Sequence, residues 1–314
     1  MVRRKFIVGG AASGMIVANS ALGASSDDQK ARRFFAAQQR VETPFGRVAF
    51  VEAGEGDAAL FLHGWPLNGF HWMGAMDLLS SARRCIAPDF LGLGYSEAPE
   101  YADLSPLAQA RMILAFMDAL SILRADLVAN DSGVAVAQIL AALHPDRVRS
   151  LLLTNGDVHT NSPPEALAPA LAAARSGELA GLIARHLEDT TFARSPLGLG
   201  GICWTDPSNL TNEALEVYFR PLLATHRARA QFQAYGVAFE PNPLPAIEPM
   251  LRAYEGPARM VWGTGDIHFA TAWAEWLDRS LPGSRGVRLV EGAKLFFTEE
   301  YPDLLAEEAL ALWA

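Results

Sequence analysis

One segment of the sequence has the pattern of a strand-to-helix turn that presents a nucleophile. The apolar run Leu127–Ala129 leads to Asp131, and the helical pattern Val134–Leu143 follows directly. Small residues stand two positions before and two positions after the aspartate, at Ala129 and Gly133. Small neighbours are needed where a nucleophile occupies a strained corner, and the following helix N-terminus favours an ionised carboxylate. The pattern therefore predicts that Asp131 is a nucleophile.

An aspartate nucleophile implies a particular chemistry. A carboxylate attacks an sp³ carbon that carries a leaving group or belongs to an epoxide, and an ester forms. A water activated by a histidine then hydrolyses that ester. The competing interpretations are that Asp131 only forms a turn, or that Ser132 is a serine nucleophile. Ser132 is one residue past the corner, so its side chain should point elsewhere.

Two earlier segments agree with this turn. The segments Phe61–Pro66 and Pro88–Ser96 each lie at the end of a predicted strand and carry the motifs His-Gly-Trp-Pro and Asp-Phe-Leu-Gly-Leu-Gly-Tyr-Ser. With the turn at Asp131, residues 41–314 resemble the haloalkane dehalogenase and epoxide hydrolase branch of the α/β-hydrolases. The resemblance implies an α/β fold: a mostly parallel, doubly wound sheet with an inserted helical cap.

The resemblance also assigns roles to residues around the predicted nucleophile. The backbone N–H groups of Trp65 and Ser132 are expected to form the hole that stabilises charge on the reacting group. His63 is expected to be structural. Asp266, after the next-to-last strand, is expected to orient the catalytic imidazole, and Asp157, which follows an earlier strand, is the second candidate for that role.

The sequence departs from the family at the catalytic histidine. Leu295 stands at that position, and leucine cannot accept a proton. We expect His268, two residues past Asp266, to replace it as the base. His159, two residues past Asp157, is the alternative base.

Three functions remain open. The first is a hydrolase that uses Asp131, Asp266 and His268. The second is a lyase, isomerase or cyclase in which Asp131 acts as acid or base and no ester is hydrolysed. The third is a binding protein without turnover. Ser132 stands where dehalogenases place a halide-binding tryptophan, whereas epoxide hydrolases use cap tyrosines, for which the candidates are Tyr218 and Tyr235.

Apolar runs that alternate with amphipathic stretches predict the sheet and its helices. The predicted strands are Arg47–Ala53, Ala58–His63, Arg84–Pro88, Ala125–Asn130, Arg147–Thr154, Ala258–Trp262 and Val287–Val290. The predicted helices are Pro106–Leu123, Val134–Leu143, Thr271–Leu281 and Pro302–Trp313. The core is expected at residues 25–156 and 256–314. Residues 157–255 are rich in proline, show no convincing strand, and are expected to form the cap over an apolar pocket for a small apolar substrate.

The first 24 residues resemble a twin-arginine export signal. Arg3, Arg4 and Lys5 precede a weakly apolar stretch, and Ala24 offers a small residue for cleavage. The stretch is too short and too rich in glycine and alanine to predict stable membrane insertion. The protein is therefore expected to be periplasmic or secreted. A basic, disordered N-terminus is the competing interpretation.

Composition excludes several classes of function. The 314 residues carry a formal net charge of −9, which argues against a nucleic-acid partner. Two cysteines, Cys85 and Cys203, cannot form a disulfide framework or a cysteine-rich metal site, although their pairing stays open. The sequence has no metal-ligand cluster and no phosphate-binding glycine loop, so we expect neither a metal nor a cofactor.

Overall fold

The computed structural model describes residues 26–314, and the export signal expected at residues 1–24 lies outside them. Eight strands occur in the described range. They are β1 (Gln38–Thr43), β2 (Gly46–Ala53), β3 (Ala58–Leu62), β4 (Arg84–Pro88), β5 (Ala125–Asp131), β6 (Val148–Gly156), β7 (Ala258–Gly263) and β8 (Ser284–Val290). All seven predicted strands are confirmed, and β1 was not predicted.

The strands form one sheet in the order β1-β2-β4-β3-β5-β6-β7-β8. The pairs β1–β2 and β2–β4 are antiparallel, and all other pairs are parallel. Every residue of β3 and β5 is buried, which explains their continuous apolar runs. Strand β1 is polar and only partly buried at the sheet edge, so its sequence lacks that signal.

The helices flank the sheet and fill the segment between β6 and β7. They are α1 (Ser26–Ala37), α2 (Met73–Leu79), α3 (Pro106–Ala119), α4 (Ser132–Leu143), α5 (Ala168–Ser176), α6 (Leu179–Glu188), α7 (Thr190–Arg194), α8 (Leu199–Cys203), α9 (Asn212–Leu223), α10 (His226–Val237), α11 (Leu244–Leu251), α12 (Thr271–Ser280), α13 (Phe297–Glu300) and α14 (Pro302–Trp313). Short 3-10 helices cover Gly69–Trp72, Pro145–Arg147, Glu165–Leu167 and Pro207–Asn209.

Helix α3 ends four residues before the predicted end at Leu123. Ser121 has a φ of 57°, and the N–H of Ile122 donates to the Met117 carbonyl over 2.8 Å. This left-handed closure terminates a helix by satisfying its last carbonyls.

Seven helices, α5 to α11, lie between β6 and β7 and form a helical insertion. The parallel strands before and after it place their carboxyl ends at one edge of the sheet. Ligands bind at this edge in open α/β sheets. None of the described helices is long and apolar enough to cross a membrane.

Candidate active site

Asp131 occupies a strained corner between β5 and α4. Its φ is 55° and its ψ is −129°, a conformation that is costly for any residue except glycine. Neighbouring glycines allow the chain to pass closely. A Cβ on Gly64 would lie 2.2 Å from the Asp131 Cβ, and a Cβ on Gly133 would lie 2.4 Å from the Leu62 carbonyl oxygen. Crowding around the turn therefore requires glycine at positions 64 and 133.

The Asp131 carboxylate is buried and is held by backbone groups. Its Oδ1 accepts a hydrogen bond from the Trp65 N–H over 3.1 Å and a second from the Ser132 N–H. Burial raises the pKa of Asp131 to about 6, and these two hydrogen bonds oppose that rise only in part. Among the described residues, no Lys or Arg forms an ion pair with this carboxylate. Its charge is therefore poorly compensated, and Oδ2 is left without a hydrogen bond.

Asp266 and His268 form a pair in the loop after β7. The Asp266 Oδ1 accepts the backbone N–H of His268 over 2.9 Å and lies 3.2 Å from its ring Nδ1. With a proton on Nδ1, the other ring nitrogen, Nε2, is a free proton acceptor. The side chain of His268 is 7% exposed, and that of Asp266 is fully buried.

Asp131 and His268 line the same cavity of about 300 Å³. Its walls are mainly apolar side chains from the helical insertion, and no Lys or Arg lines it. The lining residues are Trp65, Pro66, Asp131, Ala166, Leu167, Pro169, Ala170, Leu179, Leu182, Ile183, His186, Leu199, Ile202, Cys203, His268, Leu295 and Phe296. The lining suits a small apolar ligand.

Leu295, at the family's histidine position, also lines this cavity. Its carbonyl oxygen accepts a hydrogen bond from the Asn130 Nδ2 over 3.0 Å, which ties its loop to the residue before Asp131. The structure therefore brings His268 and position 295 to walls of one cavity, although they come from different loops.

Asp157 and His159 are placed differently from each other. Asp157 is buried beside the turn, and its N–H donates to the Asp131 carbonyl over 3.3 Å. Burial raises its pKa well above the usual range, so a protonated carboxyl is favoured there. His159 instead lies 2.9 Å from the Glu248 Oε2 and packs on Trp276. His159 is not among the cavity residues.

The two candidate tyrosines are also separated. The Tyr235 hydroxyl lies 3.4 Å from the Ser132 Oγ, next to the predicted nucleophile. The Tyr218 hydroxyl donates to Glu299 over 3.0 Å and belongs to another buried cluster. Trp65 lines the cavity and stacks on Phe232, and its buried indole N–H has no hydrogen-bond partner within residues 26–314.

His63 has both ring nitrogens occupied. Nδ1 donates to the Gly64 carbonyl over 2.9 Å, and Nε2 accepts the Phe90 N–H over 3.0 Å. Burial lowers its pKa to about 3, so the ring is neutral at pH 7 and holds two loops together. His186, in the cavity wall, is similarly engaged by the Leu182 carbonyl and the Leu199 N–H.

Both cysteines are free and buried. Cys203 lines the cavity, and burial raises the pKa of the Cys85 thiol in β4 to about 12. Within residues 26–314, no group of three His, Cys, Asp or Glu side chains is arranged to hold a metal ion. The sequence did not predict that Cys203 lines the cavity, that Asn130 bonds to Leu295 or that Asn155 bonds to Asp266. For the two asparagines the only signal is their position at the ends of β5 and β6.

A family profile described as "alpha/beta hydrolase fold" matches residues 58–195. With the sheet order and the helical insertion, this match shows that the chain has the α/β-hydrolase fold. The chain is 42% identical over 105 residues to a haloalkane dehalogenase of Mesorhizobium japonicum, 33% of this chain and 34% of the relative. It is 41% identical over 119 residues to a 2-hydroxymuconate semialdehyde hydrolase of Pseudomonas putida, 37% of this chain and 42% of the relative. An epoxide hydrolase of Caballeronia sordidicola is 40% identical over 103 residues, 32% of this chain and 31% of the relative.

The matches to these curated relatives span only about a third to two fifths of their length. Solved structures cover more of the chain and bear on its fold. The haloalkane dehalogenase DbeA of Bradyrhizobium elkani superimposes with a TM-score of 0.71 at 24% identity, over 87% of this chain and 96% of that one. The epoxide hydrolase CorEH gives 0.68 at 21% identity, over 88% and 98%.

Proposed function

We propose that this α/β-hydrolase is a cofactor-independent enzyme that hydrolyses a carbon–halogen bond or an epoxide at an sp³ carbon of a small apolar substrate. The observation that carries the proposal is that Asp131 and His268 line the same cavity, and that the His268 ring contacts Asp266. Relatives named haloalkane dehalogenase and epoxide hydrolase support the same class.

In the first step, Asp131 attacks the substrate carbon. Two backbone N–H groups hold its Oδ1, so Oδ2 is the oxygen available for attack. A bond forms between Oδ2 and the carbon, and the electrons of the breaking bond go to the halide or the epoxide oxygen. The fixed backbone donors hold the carboxylate in one orientation, which reduces the entropic cost of attack.

In the second step, His268 activates water. Its Nε2 takes a proton while the water oxygen attacks the ester carbonyl carbon, and Asp266 stabilises the resulting imidazolium. Negative charge then develops on Oδ1, where the N–H groups of Trp65 and Ser132 already point. Collapse of this intermediate breaks the bond between the carboxyl carbon and the alcohol oxygen, and the imidazolium of His268 returns its proton to that oxygen. The alcohol leaves, and the Asp131 carboxyl releases its remaining proton to restore the carboxylate.

The donors near Asp131 favour an epoxide over an alkyl halide. Ser132 offers no indole N–H to a halide at the position after Asp131. The Tyr235 hydroxyl lies 3.4 Å from the Ser132 Oγ and is the tyrosine O–H that we propose protonates an opening epoxide oxygen. The Trp65 indole N–H has no partner and is the donor for a halide.

Intact-protein mass spectrometry with an alkyl bromide and a terminal epoxide tests this proposal. We expect turnover by the wild type and a persistent ester on Asp131 in His268→Ala, because the hydrolytic step slows by about 100- to 10,000-fold without its base. Asp131→Asn, the matched control, should form no adduct. Adding Leu295→His to His268→Ala should restore some hydrolysis, because both positions line the cavity.

Two results would contradict the proposal. If His268→Ala turned over the substrate at the wild-type rate, another group would have to activate the water. No adduct and no turnover with either probe would favour a lyase, isomerase or cyclase, or a binding protein. The pKa of about 6 at Asp131 supports a lyase, isomerase or cyclase, since a group with that pKa exchanges protons readily near neutral pH.

A further inference from the structure

We propose that Asn155 is a positioning residue that holds Asp266 so that its Oδ1 alone serves His268. The inference rests on the proposed function, because it concerns the step in which His268 activates water. Asn155 is fully buried at the end of β6, its side chain makes no hydrogen bond to Asp131 among the described residues, and it is not one of the cavity-lining residues.

The sheet leaves a gap beside Asn155. Strands β6 and β7 pair only from Leu151 opposite Ala258 to Leu153 opposite Met260. Beyond that point β7 continues to pair with β8, as far as Gly263 opposite Val290. The last residues of β6 and β7 therefore have no backbone pairing with each other at the edge where the site lies.

The Asn155 amide spans this gap. Its Oδ1 accepts the Gly263 N–H over 2.6 Å, and its Nδ2 donates to the Gly263 carbonyl over 3.0 Å. A side-chain amide thus takes the place of a backbone peptide between the two strands. Because buried backbone groups need partners, these bonds fix the start of the loop that carries Asp266 and His268.

The second hydrogen of Asn155 Nδ2 fixes the orientation of the Asp266 carboxylate. It donates to Asp266 Oδ2 over 3.0 Å, while Oδ1 receives the backbone N–H of His268 and faces its ring Nδ1. An amide nitrogen has two hydrogens, and the two 3.0 Å bonds to the Gly263 carbonyl and Asp266 use both. The Phe269 carbonyl lies farther away, at 3.5 Å from Nδ2. With Oδ2 occupied, rotation of the carboxylate is blocked, and the imidazole keeps Nδ1 on Asp266.

This restraint matters because acid and base come from one short loop. Only Ile267 separates Asp266 from His268, and Ile267 is 66% exposed, so packing of the intervening residue contributes little. The loop is held from outside by Asn155 and by Asn161, whose Nδ2 donates to the His268 carbonyl over 3.1 Å. Only Asn155 of these two touches the carboxylate.

The test uses Asn155→Asp and Asn155→Ser and follows the two chemical steps separately. Asn155→Asp keeps the shape and the acceptor for Gly263 but cannot donate to Asp266. Asn155→Ser removes the amide without adding charge, in case the aspartate variant fails to fold. In single-turnover reactions with a probe that the wild type consumes, we expect ester formation to be retained and ester hydrolysis to fall by about 100-fold. The ester on Asp131 should accumulate in the intact-mass spectrum.

Asn68→Asp is the matched control, because Asn68 is equally buried and bonds only to the backbone of Val217 and Phe70. It should lower stability without accumulating ester. An equal slowing of both steps in the Asn155 variants, or unchanged hydrolysis, would overturn the inference. His268→Ala, run in parallel, separates the two proposals. Ester in His268→Ala but not in the Asn155 variants overturns only the role of Asn155, whereas no ester in His268→Ala overturns both.

Discussion

Two buried carboxylates in this molecule have opposite surroundings. Asp131 is 5% exposed, and the side chain of Glu299 is 7% exposed. Glu299 lies 2.9 Å from the Lys30 ammonium and accepts from the Tyr218 hydroxyl and the Trp204 indole N–H. Burial alone would raise its pKa, but Lys30 together with His71 lowers it to about 2. Asp131 has only two backbone donors, and burial raises its pKa to about 6.

The difference distinguishes a structural carboxylate, Glu299, from the proposed nucleophile, Asp131. Glu299, in α13 shortly after Leu295, links three parts of the molecule. It bonds to Lys30 of α1 and to Tyr218 of the helical insertion. The uncompensated charge at Asp131 destabilises the fold at neutral pH, but it leaves a weakly solvated oxygen facing a cavity. Perturbed carboxylates without a cationic partner are typical of functional sites, and such sites commonly reduce stability.

The largest expected effect is that of Asp131→Asn. Loss of the proposed nucleophile should reduce turnover by at least about 10,000-fold. The same change should raise the free energy of unfolding at pH 7.5 by about 2–3 kcal/mol, because the pKa of Asp131 is about 6 in the fold against 3.8 for a free aspartate. Urea denaturation of both proteins at pH 7.5 and pH 4 measures this. The gain should shrink as pH falls through 6 towards 3.8, and a variant that is less stable at pH 7.5 would contradict the comparison.

Lys30→Met, which changes the surroundings of Glu299, should lower stability where Asp131→Asn raises it. Removing the cation from buried Glu299 should lower the free energy of unfolding at pH 7 by roughly 3 kcal/mol. The pKa of Glu299 is about 2 in the fold against an ordinary 4.5, so its contribution is present above pH 4.5 and is lost as pH falls through 2. The difference in free energy of unfolding between the wild type and Lys30→Met, measured by urea denaturation, should therefore become smaller from pH 5 to pH 3.

Lys30→Arg, which keeps the charge, is the control for that variant and should retain most of the stability. If Lys30→Met matched the wild type at pH 7, Glu299 would not depend on α1 for its charge compensation.

The pH dependence of ester formation should report the Asp131 carboxylate directly. Attack needs the ionised form, so the rate should be constant well above pH 6 and fall about tenfold per pH unit below it. The His268→Ala variant is the right background, since its ester persists and its base is gone. An inflection near pH 4 would mean that Asp131 is not perturbed.

The smallest effect is expected for Tyr235→Phe. Losing the hydroxyl that is proposed to protonate the opening oxygen should slow the hydrolysis of an epoxide by about tenfold and leave that of an alkyl bromide nearly unchanged. Tyr218→Phe is the matched control, because the Tyr218 hydroxyl bonds to Glu299 and not beside Asp131. Its effect should appear in stability. Equal effects of Tyr235→Phe on both substrates would assign the hydroxyl to packing.

The sequence alone determined the features that depend on neighbours along the chain. Continuous apolar runs predicted seven of the eight strands in residues 26–314, because parallel strands are buried on both faces. The spacing of Ala129, Asp131 and Gly133 predicted the turn, because a corner this tight excludes larger side chains. The substitution at Leu295 was also visible there, and it directed attention to His268.

Only the tertiary structure decided which distant groups meet. The bond from Asn155 to Asp266 joins residues 111 positions apart, and that from Tyr218 to Glu299 joins residues 81 apart. No local pattern encodes such pairs, because they depend on how strand ends splay and where the helical insertion packs. The same reason explains why His159, so similar to His268 in its spacing, lies on Glu248, and why two buried carboxylates in one chain differ so widely in pKa.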